Sequence, residues 1–181
     1  MMYTKEYSIE LEGKKLCLRN AQEADAEMLI DFLKQTCEET RFLIKGREEV
    51  TLTVEEEKSF IKSQNESNEN VMLLGFLDGQ YVGNCSLMSN RLNRCRHRAS
   101  LGIALFQKYT GMGIGRKMIE ILFEIAKEQG FEQIELEVVA DNKRAIALYK
   151  KMGFEIRGTF PRHIKYNDGT YADVYWMIKL F

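Results

Sequence analysis

The feature that most constrains the fold is a run of alternating glycines between a strand pattern and a helix pattern. Gly111, Gly113 and Gly115 follow a predicted strand over 99–106 and open an apolar helix predicted over 114–129. Glycines at every second position let backbone amides point inward, and the helix N-terminus adds a partial positive charge. The run therefore predicts a main-chain site for phosphate, whereas the simpler interpretation is a tight turn that binds nothing.

Two well-known phosphate-binding loops fit this segment poorly. A Walker loop needs a hydroxyl residue after Gly-Lys, whereas Gly115 is followed by Arg116, Lys117 and Met118. A dinucleotide loop needs the spacing G-x-G-x-x-G, and this chain is one residue short of it. Asp141 offers the acidic residue of such a site, but only one β-loop-α-β unit is present, so a dinucleotide site is the less favoured alternative.

Hydrophobic periodicity predicts strands and helices mixed around one central sheet. The length of 181 residues suits one domain. The predicted elements are a hairpin or bent strand over Ser8–Arg19, helices over 22–36, 54–64, 114–129 and 143–152, a hairpin of Val71–Leu77 and Gln80–Ser89, and strands over 99–106, Ile134–Val139, Phe154–Gly158 and Tyr171–Lys179.

Caps and turns sharpen several of these boundaries. Asn20 is the expected cap of the first helix, and Thr53-x-x-Glu56 is a capping box for the second. Cys37–Val50 is charged and irregular, which indicates a loop or a short helical turn. A loop through Pro161 is expected to join the last two strands.

Composition excludes several classes of function. The chain has 26 basic and 27 acidic side chains, so no global positive field attracts nucleic acid. No apolar run approaches the ~18 residues that a membrane span needs. Four cysteines without a C-x-x-C pair, and two histidines, argue against a metal site and a disulfide framework. We therefore expect a cytoplasmic protein without metal, nucleic-acid or membrane partners.

Two long motifs resemble the GNAT superfamily of N-acetyltransferases. The first is Tyr109–Ile119, and the second is Asp141–Glu155, preceded by Leu136-Glu137-Val138. The resemblance covers about residues 99–181 by motif and the N-terminal half by element order. It implies one GNAT domain over residues 1–181, with an α/β fold. The expected architecture is a central mixed, mostly antiparallel sheet of six to seven strands flanked by about four helices.

The same resemblance implies acetyl-CoA as the cosubstrate. Its pantetheine arm is expected to lie along the strand before the glycine loop, where the Leu105 amide polarises the thioester carbonyl. Thr110 stands where the family usually has Arg or Gln, and the main-chain amides are expected to suffice. The implied cofactor-binding residues are Ile103, Leu105, Thr110, Gly111, Met112, Gly113, Ile114, Gly115 and Asn142. Asn142 is also a plain helix N-cap.

Two catalytic residues follow from the motif match. Tyr149 lies seven residues after Asn142, which matches the general acid that protonates the leaving CoA thiolate. Its alternative interpretation is a buried aromatic with a satisfied hydroxyl. Glu137 matches a general base for the acceptor amine, and we expect partial burial to raise its pKa. A chain of water molecules is the alternative base. His97 and His163 receive no role.

The resemblance thus implies transfer of an acetyl group to a primary amine of a small molecule, amino-acid-like or polyamine-like. The amine is expected to attack directly in a ternary complex. Acceptor choice is expected to lie in Cys37–Val50 and Thr159–Tyr171. Two alternatives stay open: an N-alpha-acetyltransferase of a protein N-terminus such as a ribosomal protein, and a non-catalytic acyl-CoA sensor.

The basic run Arg91–Arg98 is interpreted as a solvated loop. Edge strands at the C-terminus are compatible with a homodimer, and the sequence does not decide the oligomeric state.

Overall fold

The computed structural model describes residues 6–89 and 92–181, so Arg91 of the predicted basic loop lies outside the described residues. Eight strands and four α-helices occur in these ranges. They are β1 Tyr7–Leu11, β2 Lys14–Asn20, α1 Ala26–Glu39, α2 Val54–Glu66, β3 Val71–Leu77, β4 Gln80–Ser89, β5 Arg98–Leu105, α3 Ile114–Glu128, β6 Gln133–Val139, α4 Lys143–Lys151, β7 Glu155–Lys165 and β8 Tyr171–Leu180.

The strands form one mixed sheet in the order β1-β2-β3-β4-β5-β6-β8-β7. The mixed α/β fold class is confirmed, and so is the number of helices, while the sheet has eight strands rather than six to seven. Contacts divide the chain into two units. The first contains the residues up to Met88 and Gly102–Leu122, and the second contains Ser89–Leu101 and Phe123–Phe181. One domain over residues 1–181 stays a prediction.

The first unit contains two antiparallel hairpins. The first was predicted as a hairpin or a bent strand, and the second was predicted as a hairpin. β1 and β2 turn at Glu12 and Gly13, whose φ angles are 51° and 79°. β3 and β4 turn at Asp78 and Gly79, with φ angles of 49° and 80°. Two successive positive φ angles define the turn whose twist matches that of the flanking strands. The Asp-Gly signal therefore located the second hairpin to the residue.

Helix α1 begins later and ends later than predicted. Asn20 is the last residue of β2 and caps no helix. The chain turns instead at Asp25, whose carboxylate accepts the Gln22 amide at 2.7 Å and two hydrogen bonds from Arg19 at 2.7 and 2.9 Å. This ion pair joins β2 to the 3-10 turn Glu23–Asp25, which precedes α1. The α-helix therefore begins only at Ala26. The helix then runs to Glu39, into the stretch predicted as irregular.

The capping box predicted for α2 is confirmed. The hydroxyl of Thr53 accepts the Glu56 amide at 3.2 Å, and the Glu56 carboxylate accepts the Thr53 amide at 2.8 Å. These two bonds satisfy amides that the first turn of a helix leaves without partners. Helix α2 therefore begins at Val54 as predicted and extends to Glu66.

In the second unit β7 is longer than predicted, and Pro161 lies inside it rather than in a loop. β7 is an edge strand of the sheet, and Pro161 lies between the registered pairs Phe160–Val174 and Ile164–Ala172, where an edge strand tolerates proline. The pairing with β8 shifts between Phe160 and Ile164, and Arg162 adopts a φ of 52° at this bulge. The proposed acceptor loop Thr159–Tyr171 is therefore mostly strand, and only residues 166–170 form the turn.

No helix in residues 6–89 and 92–181 is long and apolar enough to cross a membrane.

Gly83 marks a close approach of β4 to β5 within the first unit. Its φ is +148°, which L side chains rarely adopt. A Cβ at this position would collide with the carbonyl oxygen of Ala104 and would lie 2.8 Å from the Cα of Leu105. This requirement could not be predicted from spacing, because it arises from a contact between residues on two different strands.

We expect Gly83→Ala to destabilise the protein more than Gly79→Ala, which serves as its control. Both glycines have positive φ, but a Cβ at Gly79 meets no described atom within 4 Å. The control should lose about 1–2 kcal/mol from backbone strain. Gly83→Ala should lose a further ~1–3 kcal/mol because it displaces backbone. Urea unfolding measures both, and equal losses would show that β5 does not constrain this position.

Candidate active site

The glycine loop follows β5 within the first unit and leads into α3. One 3-10 turn, Gln107–Tyr109, separates the strand from the glycines. Gly111 and Gly113 adopt φ angles of +82° and +80°, and a Cβ at Gly111 would meet no described atom within 4 Å. Gly115 lies in the first turn of α3, where amides have no partner within the helix. The loop therefore has left-handed backbone at two of its three glycines and leads into a helix N-terminus, and anion binding there stays a prediction.

Thr110 is held by the turn that precedes it. Its hydroxyl donates to the Gln107 carbonyl at 2.7 Å, and its amide donates to the same oxygen at 3.1 Å. The Gln107 amide in turn donates to the carboxylate of Glu39 at 2.6 Å. Glu39, at the C-terminal end of α1, thus positions the loop. Sequence reasoning missed this contact because the two residues are 68 positions apart.

β5 contains the two strand residues predicted to bind the cosubstrate. Ile103 and Leu105 are both half-buried. The amide of Phe106, the next residue after the strand, donates to the Val82 carbonyl at 3.1 Å. The parallel register with β6 covers only Arg98–Ser100, at the start of β5.

Asn142 caps α4 in the second unit, which confirms its structural interpretation. Its side-chain oxygen accepts the Ala145 amide at 3.2 Å, and its own amide donates to the Val139 carbonyl at 2.9 Å. The cap fixes where α4 begins, and therefore which residues of the helix are buried. A contact of Asn142 with the cosubstrate stays a prediction.

Tyr149 lies on α4 with only 8% of its surface exposed. Its ring packs edge-on against Phe154, with centroids 5.9 Å apart. Burial disfavours the phenolate and raises the pKa of Tyr149 to about 12. The phenol therefore keeps its proton at neutral pH, as a general acid must. The same burial also agrees with the simpler interpretation of a packed aromatic residue.

Glu137 is exposed on β6, so the expected partial burial is wrong. Its carboxylate lies 3.9 Å from Nε2 of His163 on β7, a histidine to which the sequence assigned no role. Glu135, two residues earlier, is half-buried and forms an ion pair with Arg98 at 3.1 Å. The two acidic residues of β6 therefore differ in environment: Glu135 is engaged in the fold, whereas Glu137 is open to solvent.

A cavity of about 340 Å³ lies in the first unit, and most of its lining was not predicted as a site. Its lining includes helices α1 and α2, strands β3 to β5 and the stretch after α1. The lining residues are Leu29, Phe32, Leu33, Leu43, Leu52, Glu57, Phe60, Met72, Asn84 and Ala104. Leu43 is the only one of them within the Cys37–Val50 stretch expected to choose the acceptor. Glu57 is a buried acidic side chain that sequence reasoning missed, because helical spacing alone does not distinguish it from its exposed neighbours.

The predicted site residues therefore fall into two groups. The strand and loop residues lie in the first unit, together with the cavity. Glu137, Asn142 and Tyr149 lie in the second unit. No cluster of three or more potential metal-ligating side chains occurs among the residues that the structure describes.

Residues 18–176 match the family model described as an acetyltransferase (GNAT) domain, so this chain belongs to the GNAT family. It is accordingly an acyltransferase of the N-acetyltransferase class. Members of the family use acetyl-CoA.

Three similar proteins illustrate the range of relatives. The L-amino acid N-acetyltransferase AaaT of Escherichia coli (strain K12) is 32% identical over 109 residues, which cover 60% of this chain and 67% of that protein. A GNAT-family acetyltransferase from Streptococcus pneumoniae is 33% identical, with a TM-score of 0.86 over 92% of this chain and 99% of that one. The ribosomal-protein-alanine N-acetyltransferase from Brucella melitensis is 26% identical, with a TM-score of 0.80 over 91% of this chain and 99% of that one.

Proposed function

We propose that this chain transfers the acetyl group of acetyl-CoA to a primary amine of a small molecule, by direct attack in a ternary complex. The observation that supports it most is the glycine loop. Gly111 and Gly113 adopt left-handed backbone between a strand and a helix N-terminus, in a chain of the GNAT family. That geometry suits the diphosphate of a CoA ester. The similarity to an L-amino acid N-acetyltransferase favours a small amino compound as the acceptor.

The proposed cosubstrate contacts are mostly main-chain. The amides of Gly111, Met112, Gly113, Ile114 and Gly115 would bind the diphosphate, and the main-chain groups of Ile103 and Leu105 would pair with the pantetheine arm. Asn142 would add a side-chain contact. Support for the strand contacts comes from the register of β5, whose pairing with β6 covers its first three residues only. The hydroxyl and the amide of Thr110 both donate to the Gln107 carbonyl, so Thr110 would hold the start of the loop. A contact of Thr110 with the cosubstrate would require one of these hydrogen bonds to be exchanged for one to the ligand.

The proposed reaction moves one acetyl group and two protons. The amine nitrogen attacks the thioester carbonyl, and the Leu105 amide donates a hydrogen bond to the carbonyl oxygen as negative charge develops there. The carbon–sulfur bond breaks, and Tyr149 donates its proton to the departing sulfur. Glu137, or a water molecule beside it, takes a proton from the nitrogen. The exposed position of Glu137 favours a role through water, since solvent reaches its carboxylate.

A second acceptor class is supported by one specific similarity. The Brucella melitensis enzyme, which is named for a ribosomal protein, matches 91% of this chain at 26% identity. An N-terminal amine of a protein is therefore the alternative acceptor. The cytoplasmic location and the homodimer also stay predictions.

We expect Gly111→Ala to raise the KM for acetyl-CoA at least tenfold. A Cβ at this position projects from the loop whose amides are proposed to bind phosphate. Gly130→Ala is the matched control, because Gly130 also has a left-handed φ, of +78°, and an added Cβ meets no described atom within 4 Å. Both variants should lose about 1–2 kcal/mol of stability from backbone strain. If Gly130→Ala raises the KM equally, the loop has no special role in binding.

We expect Tyr149→Phe to lower kcat by about 100-fold or more, the usual contribution of a general acid. The ring and its packing on Phe154 remain, so the KM for acetyl-CoA and the unfolding midpoint should change little. Release of CoA thiol in the presence of primary amines measures turnover. Unchanged kcat would remove Tyr149 from the mechanism and leave it as a packed aromatic. Binding of acetyl-CoA without thiol release on any amine would favour the non-catalytic sensor.

A further inference from the structure

We propose that the cavity of the first unit binds the acceptor, with Glu57 accepting a hydrogen bond from its amino group and the apolar walls enclosing its side chain. The acceptor class is then a primary amine with an aromatic or branched apolar substituent. This inference rests on the proposed acetyl transfer, and it identifies the chemistry of the molecule that receives the group.

The position of the cavity favours an acceptor rather than a structural void. Ala104 of β5 lines it, and the next residue is Leu105, whose amide is proposed to polarise the thioester. Its volume of about 340 Å³ lies near the lower end of the range of about 300–1,000 Å³ typical of small-molecule sites. Phe60, at the wall, is 42% exposed, so solvent and ligand can reach the cavity.

The walls specify an apolar ligand. Eight of the ten lining residues are apolar, and they come from both helices, the stretch between them and the strands β3 and β5. The side chains of Phe32 and Leu29 are 3% and 4% exposed, so this part of the cavity wall has almost no contact with bulk water. Filling it with an apolar substituent gains free energy by removing carbon surface from water.

Glu57 specifies the amino group. Only 8% of its surface is exposed, and within residues 6–89 and 92–181 no hydrogen bond or ion pair to its carboxylate is found. Burial raises the pKa of Glu57, because a carboxylate removed from water without a partner is costly. A ligand N–H supplies the missing partner. Asn84 is the other polar residue of the lining.

The same lining disfavours polyamines, which the sequence left open. A polyamine has a second ammonium group, and the cavity contains one carboxylate for it to share with the first. The second charge would be buried against leucine and phenylalanine side chains, which is strongly unfavourable. A separate polar depression along α1 is less suited to cations, because its Glu38 is paired with Arg47 and its Glu39 accepts the Gln107 amide.

Three amines of different chemistry test the acceptor class at saturating acetyl-CoA. They are 2-phenylethylamine, ethylamine and putrescine, with thiol release as the readout. The proposal predicts a kcat/KM for 2-phenylethylamine at least tenfold above the values for ethylamine and putrescine. Equal values, or a preference for putrescine, would overturn it.

Glu57→Gln tests the carboxylate, and Glu55→Gln is the matched control. Glu55 belongs to the same helix but is exposed and pairs with Lys58 at 2.7 Å. Glu57→Gln should weaken binding of 2-phenylethylamine at least tenfold, measured by calorimetry and as a raised KM, and leave the KM for acetyl-CoA unchanged. Glu55→Gln should resemble the parent protein. Equal amine affinities in the two variants would overturn the role of Glu57.

Leu33→Trp tests the apolar walls of the cavity. Turnover of ethylamine by the same variant is the control for a folding defect. The larger ring should fill part of the cavity, so turnover of 2-phenylethylamine should fall at least tenfold while any turnover of the smaller ethylamine persists. Parallel losses for both amines would contradict the placement of the side chain. If no amine releases thiol, acetyl transfer to small amines fails, and the calorimetric affinity of 2-phenylethylamine for the parent and Glu57→Gln proteins still decides whether the cavity binds it.

Discussion

The backbone between β5 and α3 is the constraint on which the proposed chemistry depends. The proposed site requires the chain to leave the strand, turn, and enter the helix with the amides of residues 111–115 available to the ligand. Left-handed φ angles at Gly111 and Gly113 permit this turn, and Glu39 holds its start through the Gln107 amide. Because the proposed contacts are main-chain, Thr110 in place of the family's usual Arg or Gln is compatible with the proposal.

The two proposed proton-transfer residues have opposite environments within the second unit. Tyr149 is buried and retains its proton, whereas Glu137 is exposed beside His163. A phenol that keeps its proton suits the proposed acid, and a carboxylate open to solvent suits the proposed base acting through water. Glu57 of the first unit has a third environment. It is buried, and no hydrogen bond or ion pair to its carboxylate is found among the described residues. The inference drawn from it concerns recognition of the acceptor, and removal of the proton remains with Glu137 or water.

Local signals in the sequence predicted much of the fold. The Asp78-Gly79 turn, the Thr53 capping box and the Asn142 cap each involve residues within a few positions of one another, so their hydrogen bonds follow from spacing alone. Tertiary contacts decided what spacing could not. The start of α1 follows the ion pair between Arg19 and Asp25, and the length of β7 depends on its register with β8. The sheet has eight strands because Ser8–Arg19, predicted as a hairpin or a bent strand, forms the two strands β1 and β2.

The candidate site was predictable to a similar degree. The glycine loop and Tyr149 belong to continuous motifs. The left-handed backbone of the loop and the burial of Tyr149 both suit their proposed roles. The cavity was not predictable, because ten residues between Leu29 and Ala104 line it and no spacing rule connects them. Glu57 illustrates the limit: its neighbours Glu55 and Glu56 are chemically similar, and only packing makes Glu57 the buried member.

The most direct test of the account is thermal unfolding with acetyl-CoA and, separately, with NAD. A ligand that binds the folded chain stabilises it by about 2.7 kcal/mol at a hundredfold excess over Kd, which raises Tm by roughly 5–10 °C for a chain of this size. The account predicts that acetyl-CoA raises Tm by this amount and that NAD leaves it unchanged. A rise with NAD and none with acetyl-CoA would contradict it and would make the glycine loop a dinucleotide site.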